Sequence, residues 1–460
     1  MRFLRRLGAV AAGAALALTA TACGGLGSTS SDPAGHAGSG APAKAPVPDL
    51  RPDQKVDIVF ESYNLAQAGV WTDTVNGLLK EFQDAHPNIR VTARPPQGGA
   101  QNVVASIQSQ MVVGKAPDVA QVTFGDLDFA VNSLKAKPLD DLVGKDAVQA
   151  SFGGPHPFAA NAKTLGDWNG KTYGMPYVFS TPVLFYNADA FRAAGLDPDK
   201  PPATWDEVKQ AGLALKAKAG KEGAYIDCAT ASAGDWCLQA VIASNGGSVL
   251  SPDRKSLTFA DPAAAQAVGT LGDLVKSGAS PNLTQAQAID AFSRGNLGMV
   301  LESSSLQGMF QQASAAGKWD LRAAALPAFP GKEAVPTNSG SALMVFSDDP
   351  AKQRAAWELI AFMTSDRAYT QISSRIGYLP LRPSLVDDPA ALKPWADKNP
   401  LLRPNLAQLD RLKPWVSFPG NSYVQIRDLM LHAVEASVYQ GKDPAATLAD
   451  AQKRATGLMP

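Results

Sequence analysis

The residues with the most distinctive chemistry in this 460-residue chain are three cysteines and four histidines. Cys228 and Cys237 follow each other closely, with Asp235-Trp236 immediately before the second. In a chain that leaves the cytoplasm this spacing favours a disulfide around a short loop over a metal or redox pair. Such a bond stabilises mainly by restricting the unfolded chain. His36 lies in a stretch rich in small residues, and His86, His156 and His432 have no His or Cys nearby at metal-ligand spacing, so neither metal nor cofactor is expected. The chain contains no GxSxG elbow, no Walker A loop, no GxGxxG after a strand and no HExxH. An enzyme therefore has no positive support, and the expected chemistry is binding.

The first 23 residues form a separate physical class. Arg2, Arg5 and Arg6 are followed by an apolar run from Leu7 to Leu18 and by Thr19-Ala20-Thr21-Ala22-Cys23, the pattern of an export signal. The run is shorter than the roughly 20 residues that span a bilayer. Cys23 resembles the cysteine of a bacterial lipobox, with Ala20 where that motif most often has Leu. The resemblance implies removal of residues 1–22 and diacylation of Cys23, against the plainer alternative of a secreted protein with a stray cysteine. Residues 24–50 are mostly small residues and Pro, a flexible tether. The expectation is a lipid anchor at Cys23, a linker over 23–51, and a protein held on the extracytoplasmic face of the cell membrane.

The elements that position any site lie beyond this tether. Lys and Arg number 42 against 42 Asp and Glu, with 45% hydrophobic and 18% charged residues. That balance excludes disorder and coiled coil, lacks the basic surplus of a nucleic-acid partner, and at this length predicts two or three domains. Val56–Phe60 reads as a strand. A helix over 72–85 follows, with Val75, Leu78, Leu79 and Phe82 on one face. Ile89–Ala93 and Asp118–Thr123 read as strands flanking a helix over 101–113. The same grammar restarts after Gly170, with strands near 171–177 and 183–187 and Thr204 as a helix N-cap. Residues 423–459 read as two helices around Gly441-Lys442-Asp443-Pro444. Strands alternating with helices predict two α/β lobes, each with a mostly parallel sheet.

Four runs in order carry a family resemblance: Gly114-Lys115-Ala116-Pro117-Asp118-Val119, Thr172-Tyr173-Gly174-Met175-Pro176-Tyr177, Phe185-Tyr186-Asn187 and Pro202-Ala203-Thr204-Trp205-Asp206-Glu207. They resemble the family 1 extracellular solute-binding proteins of ABC importers, over roughly residues 54–457. The second half is similar to the subgroup that binds glycerol-3-phosphate or glycerophosphodiesters, through Met299-Val300-Leu301-Glu302-Ser303-Ser304, Asn338-Ser339-Gly340-Ser341, Gly377-Tyr378-Leu379-Pro380, Phe418-Pro419-Gly420 and Gln425-Ile426-Arg427.

The resemblance implies a type II periplasmic-binding fold: lobe 1 from 52–170 with 334–376, lobe 2 from 171–333 with 377–460, and a ligand cleft between them. It implies a phosphate shell of Ser303 or Ser304, Gly340, Tyr378 and Arg427. An Arg fork with hydroxyl and backbone donors suits that anion. Trp236 aligns with an aromatic over the polyol, whose face would also attract a quaternary ammonium. Ser180 and Thr181 are hydroxyl donors at the first crossing between lobes. Each has a plain alternative: Arg427 as a solvated helix arginine, Trp236 as core, Tyr378 as packing, the serines as turns. Where the subgroup holds glycerol hydroxyls, this chain reads Gly98-Gly99-Ala100-Gln101, so Glu61, Tyr63, Phe124 and Asp126 are the candidate substitutes. The expected function is capture of glycerol-3-phosphate or a glycerophosphodiester such as glycerophosphocholine by hinge closure. A monomer would then deliver it to a permease driven by a separate ATPase. A neutral oligosaccharide is the runner-up, with a solute-sensing module or a secreted enzyme as other classes.

Overall fold

A computed structural model describes residues 46–99, 102–230 and 234–460; the expected signal segment, Cys23 and most of the linker lie outside them. In strand β1 (Val56–Glu61), Val56, Ile58 and Phe60 alternate into the core while Asp57 faces out. It pairs in parallel with β2 (Ile89–Arg94) and β3 (Val119–Thr123). The helix Val70–Ala85 between β1 and β2 buries Val75, Leu78, Leu79 and Phe82, the stripe expected from their spacing. A short hairpin, β4 (Asp167–Trp168) with β5 (Lys171–Thr172), precedes β6 (Gly174–Ser180), β7 (Pro182–Asn187), β8 (Glu222–Ile226), β9 (Leu297–Ser303), β10 (Leu321–Ala324) and β11 (Ser339–Val345).

The strands form two main sheets, ordered β2-β1-β3-β11-β6 and β10-β7-β9-β8. They are not mostly parallel. β11 runs antiparallel to β3 and β6, and β7 antiparallel to β9 and β10, whereas β8 and β9 are parallel. The reason is connectivity: β6, β7, β10 and β11 carry the chain from one sheet to the other and back, without the crossover helix that makes neighbours parallel.

One hydrophobic core covers the first sheet, from Val56 to Phe179 and again from Ala342 to Leu412. A second covers the other sheet, from Leu184 to Ala334 and from Phe418 to Ala455. The chain leaves the first sheet at Ser180 and enters the second at Pro182, so Thr181 alone joins β6 to β7. Residues 379–412 pack on the first core. Both observations correct the expected lobe limits at 170 and 377: fully buried β6 and the Leu379–Leu412 side chains have their apolar partners in lobe 1.

Local signals act as anticipated elsewhere. Thr204 and Glu207 form a reciprocal capping box on the helix Trp205–Ala219. The two final helices are Tyr423–Gln440, ended by left-handed Gly441, and Pro444–Thr456, capped by Asp443. Cys228 and Cys237 are joined in a disulfide with Cα atoms 4.6 Å apart. Among the described residues no helix is long and apolar enough to cross a membrane.

Candidate functional site

Between the two cores lies a cleft of about 790 Å³. Where the chain crosses, the ends of β6 and β9 come together. Ser303 Oγ donates to Ser180 Oγ at 2.8 Å and lies 2.8 Å from Ser305 Oγ, a row of hydroxyls spanning both sheets at the cleft surface. Gly340, on β11, also lines the cleft. Its φ of +118° and its place 2.0 Å, for an added Cβ, from the Val178 carbonyl oxygen exclude any side chain. A break in register between Ser341 and Ala342 accompanies this close approach.

Arg427 rises from the first turns of the helix Tyr423–Gln440 and lines the cleft with 29% of its side chain exposed. Its Nε is buried and donates to no acceptor; the nearest carboxylate, Asp428 Oδ1, is 3.5 Å away. Beside it, Trp415 Nε1 donates to Asp235 Oδ1 at 3.0 Å and Gln239 Nε2 to Asp235 Oδ2 at 2.8 Å. Burial pushes the Asp235 carboxyl above its ordinary range, while these donors and the Arg427 charge pull it back. Trp236, next in sequence, also borders the cleft although only 6% of it is exposed.

From the first lobe come Tyr63, Tyr378 and Trp71. Tyr378 Oη donates to Asn64 Oδ1 at 3.4 Å, and its ring meets Trp71 edge-on at 5.1 Å. Burial raises both phenols, Tyr378 well above its usual value, so each remains a neutral hydroxyl. Asp126 accepts from Thr123 Oγ1 at 2.6 Å and, across the cleft, from Tyr423 Oη at 2.5 Å.

Eight of the expected residues therefore gather here: Ser180, Ser303, Gly340, Tyr378, Arg427, Trp236, Tyr63 and Asp126. Four do not line it. Glu61 is fully buried, its Oε2 held by Arg94 Nε at 3.1 Å and Gln110 Nε2 at 2.7 Å. Phe124 packs in the first core. Thr181 Oγ1 donates to Asn405 Oδ1 at 2.7 Å, and Ser304 Oγ accepts the Thr181 N–H at 3.3 Å, so both hydroxyls serve the crossing.

Sequence reasoning passed over Trp71, Trp415 and an acidic pair in the cleft wall. Asp227 and Glu302 are each 1% exposed, and Gln285 Nε2 donates to both, at 3.0 and 2.7 Å. Burial first, then the neighbouring Glu302 charge, holds the Asp227 carboxyl well above its ordinary range. Glu302 is also raised by burial, but it accepts the Ser303 N–H, which favours its anion. Both carboxyls are thus held toward their protonated forms. Trp415 had a usable signal, since it stands three residues before the Phe418-Pro419-Gly420 run. Among the described residues no group of three or more His, Cys, Asp or Glu side chains is arranged to hold a metal.

The sn-glycerol-3-phosphate-binding periplasmic protein UgpB of Brucella melitensis biotype 1 is 27% identical over 301 residues, 62% of this chain and 67% of that protein. UgpB from Mycobacterium tuberculosis, solved in complex with glycerophosphocholine, superposes with a TM-score of 0.74 at 24% identity, covering 88% of this chain and 98% of that one. The cyclic α-maltosyl-1,6-maltose binding protein from Arthrobacter globiformis superposes with a TM-score of 0.73 at 21% identity over the same shares. These structural likenesses establish a shared two-domain fold, and relatives of this kind are binding proteins, not enzymes. The family model for the bacterial extracellular solute-binding proteins matches residues 77–404, most of the chain, and the chain belongs to that family.

Proposed function

We propose that the protein is the lipid-anchored solute-binding component of an ABC importer and that its ligand is a glycerophosphodiester, with glycerol-3-phosphate as the simpler member of the class. The observation that carries this is Arg427: a guanidinium in the cleft whose buried Nε has no acceptor. A buried donor left without a partner is costly, and a phosphate oxygen would satisfy it with a charge-assisted bond. The Ser180 hydroxyl, which accepts from Ser303 and keeps its own proton, offers a further donor.

Two features favour the diester over the bare phosphate. The cleft lies toward the upper part of the roughly 300–1,000 Å³ range of ligand pockets, more space than a triose phosphate fills. Its wall also carries the Asp227–Glu302 pair and the rings of Trp236 and Trp415, which together suit a cationic head group. Similarity to the UgpB proteins points the same way. Neutral oligosaccharide remains the second reading, supported by Trp71, Trp236 and Trp415 as sugar-stacking faces and by the maltosyl-binding neighbour.

Hinge bending about Thr181, the 324–339 return and the 412–418 return would bring the lobes over the ligand. The closed monomer would then dock on a permease whose ATPase supplies the energy. A thermal-shift screen of the protein against glycerol-3-phosphate, glycerophosphocholine, inorganic phosphate, maltose and trehalose tests the ligand class, since a ligand bound only by the folded state raises the melting temperature. Shifts with the phosphorylated compounds alone support the proposal; a shift with a disaccharide alone replaces it by the second reading.

A further inference from the structure

Arg254 sits at the tip of a tight loop between the bridged pair Leu250 and Leu257, both in the second core. Its backbone is left-handed, with φ +61°, a conformation that glycine adopts more readily than arginine. The side chain retained there leaves its own lobe. Its guanidinium donates to Asp128 Oδ2 at 2.9 Å, on the helix Leu127–Asn132 whose Ala130 and Val131 belong to the first core, and lies 5.1 Å over the ring of Trp168, which packs on that core. It also donates to the Ser417 carbonyl, on the segment returning to the second core, at 2.9 Å. Asp128 is 5% exposed, and its other oxygen accepts from Asn132 Nδ2 on its own helix, so the carboxylate is presented rigidly.

The same seam holds further links between lobes. Ser133 Oγ donates to Asn421 Oδ1 at 2.6 Å, and Phe129 packs on Tyr423 at 5.4 Å. Gly125 lies so close under Trp415 that an added Cβ would stand 2.5 Å from the indole. None of Asp128, Trp168 and Arg254 lines the cleft. A contact that joins the lobes when they are closed and parts when they open, without touching the ligand, changes the closed-to-open ratio by one factor for all ligands.

We infer that Arg254, clasped between Asp128 and Trp168, is a positioning residue that sets the closed fraction of the protein independently of what the cleft holds. This rests on the hinge-closure reading above but not on the identity of the ligand. The test uses Arg254→Gly, which removes the guanidinium while easing the left-handed backbone, together with Asp128→Asn and the double variant. Spin labels at Ser109→Cys and Lys218→Cys, exposed positions on helices of different lobes, report the interlobe distance.

Arg254→Gly is expected to lengthen that distance without ligand. It should weaken glycerol-3-phosphate, glycerophosphocholine and maltose, whichever of them bind, by one common factor of about 3–10, because apparent affinity scales with the competent fraction. Asp128→Asn should do the same, with the double variant no worse than the stronger single one, and Arg254→Lys should restore part of the effect. An unchanged interlobe distance, or weakening confined to one ligand, would overturn the inference. A wrong ligand class would instead alter the order of the probes in the unmodified protein and leave the distance effect intact.

Discussion

Replacing Arg427 with alanine separates a binding arginine from a structural one. The side chain makes no hydrogen bond within the described residues, its Nε is buried without an acceptor, and its closest carboxylate, Asp428, is 3.5 Å away and half-exposed. Removing it from the ligand-free protein should cost little; it deletes an unsatisfied buried donor, and surface pairs of this kind contribute only about 0–1 kcal/mol. Bound phosphate changes the account. A charge-assisted hydrogen bond contributes about 1.5–3 kcal/mol, and stripping one partner from a desolvated charged pair costs about 2–5 kcal/mol. With 29% of the side chain exposed, solvent recovers part of that. The expected loss is about 2–4 kcal/mol, or roughly 30- to 1,000-fold in Kd at 1.4 kcal/mol per decade. Calorimetric titration of glycerophosphocholine gives the affinity and differential scanning calorimetry the ligand-free Tm. Unchanged affinity, or a ligand-free Tm that falls as far as for a core truncation, would show that Arg427 holds the helix Tyr423–Gln440 and not the ligand.

Other expectations follow from the same geometry. Trp236→Ala should weaken glycerophosphocholine more than glycerol-3-phosphate in parallel titrations, by about tenfold for a desolvated cation–π contact; equal losses would remove the head-group role. Gly340→Ala should lower stability by about 2–4 kcal/mol in urea unfolding, because the new Cβ meets the Val178 carbonyl at 2.0 Å in a backbone with φ +118°; a wild-type midpoint would contradict the close approach. Asp227 and Glu302 have raised pKa values, so the native state keeps a proton that the unfolded chain releases. Their contribution to stability is therefore full below the ordinary carboxyl range near pH 4 and falls as pH rises through the raised native value. Asp227→Asn should flatten that part of a urea-midpoint series taken from pH 4 to 8, and an identical slope would refute the raised native pKa of Asp227. Cys23→Ala should release the protein from membranes into the soluble fraction; unaltered fractionation would eliminate the lipid anchor.

What the chain reveals in one dimension depends on how local the cause is. Helix stripes, the Thr204 cap and the short Cys228–Cys237 loop are set by neighbours a few residues away, and the structure reproduces them. Glu61 illustrates the opposite case. It stands at the end of a strand where a cleft residue belongs, but the β1–β2 register places it directly beside Arg94, and the ion pair draws the carboxylate inward. Asp227 and Glu302 are distant in sequence and meet because parallel β8 and β9 set Ile226 beside Leu301. No periodicity announces such a register. Arg427, Gly340 and the serines were recognisable only through the order of family motifs, since an arginine on a helix and a glycine in a strand carry no local mark of a cleft.

The cleft residues divide by lobe in a way that bears on specificity. The hydroxyls of Ser303 and Ser305, Arg427 and the acidic pair all come from elements of the second sheet or its helices, and the serines and the acidic pair are held by hydrogen bonds that do not depend on a ligand. The first lobe contributes Trp71, Tyr63, Tyr378, Ser180, Gly340 and the apolar start of the helix Val103–Val112. Among the described residues its one cleft carboxylate is Asp126, and both oxygens already accept hydrogen bonds, from Thr123 and, from the opposite lobe, Tyr423. A ligand anchored on lobe 2 would therefore meet, on closure, aromatic and apolar faces with the neutral hydroxyls of Ser180, Tyr63 and Tyr378 among them. Discrimination between head groups would then arise from shape and aromatic contact on lobe 1, while the polar end would be selected on lobe 2 before the hinge moves. Substitutions at Trp71 or Val104 should accordingly change which diester is preferred without abolishing capture of the phosphate.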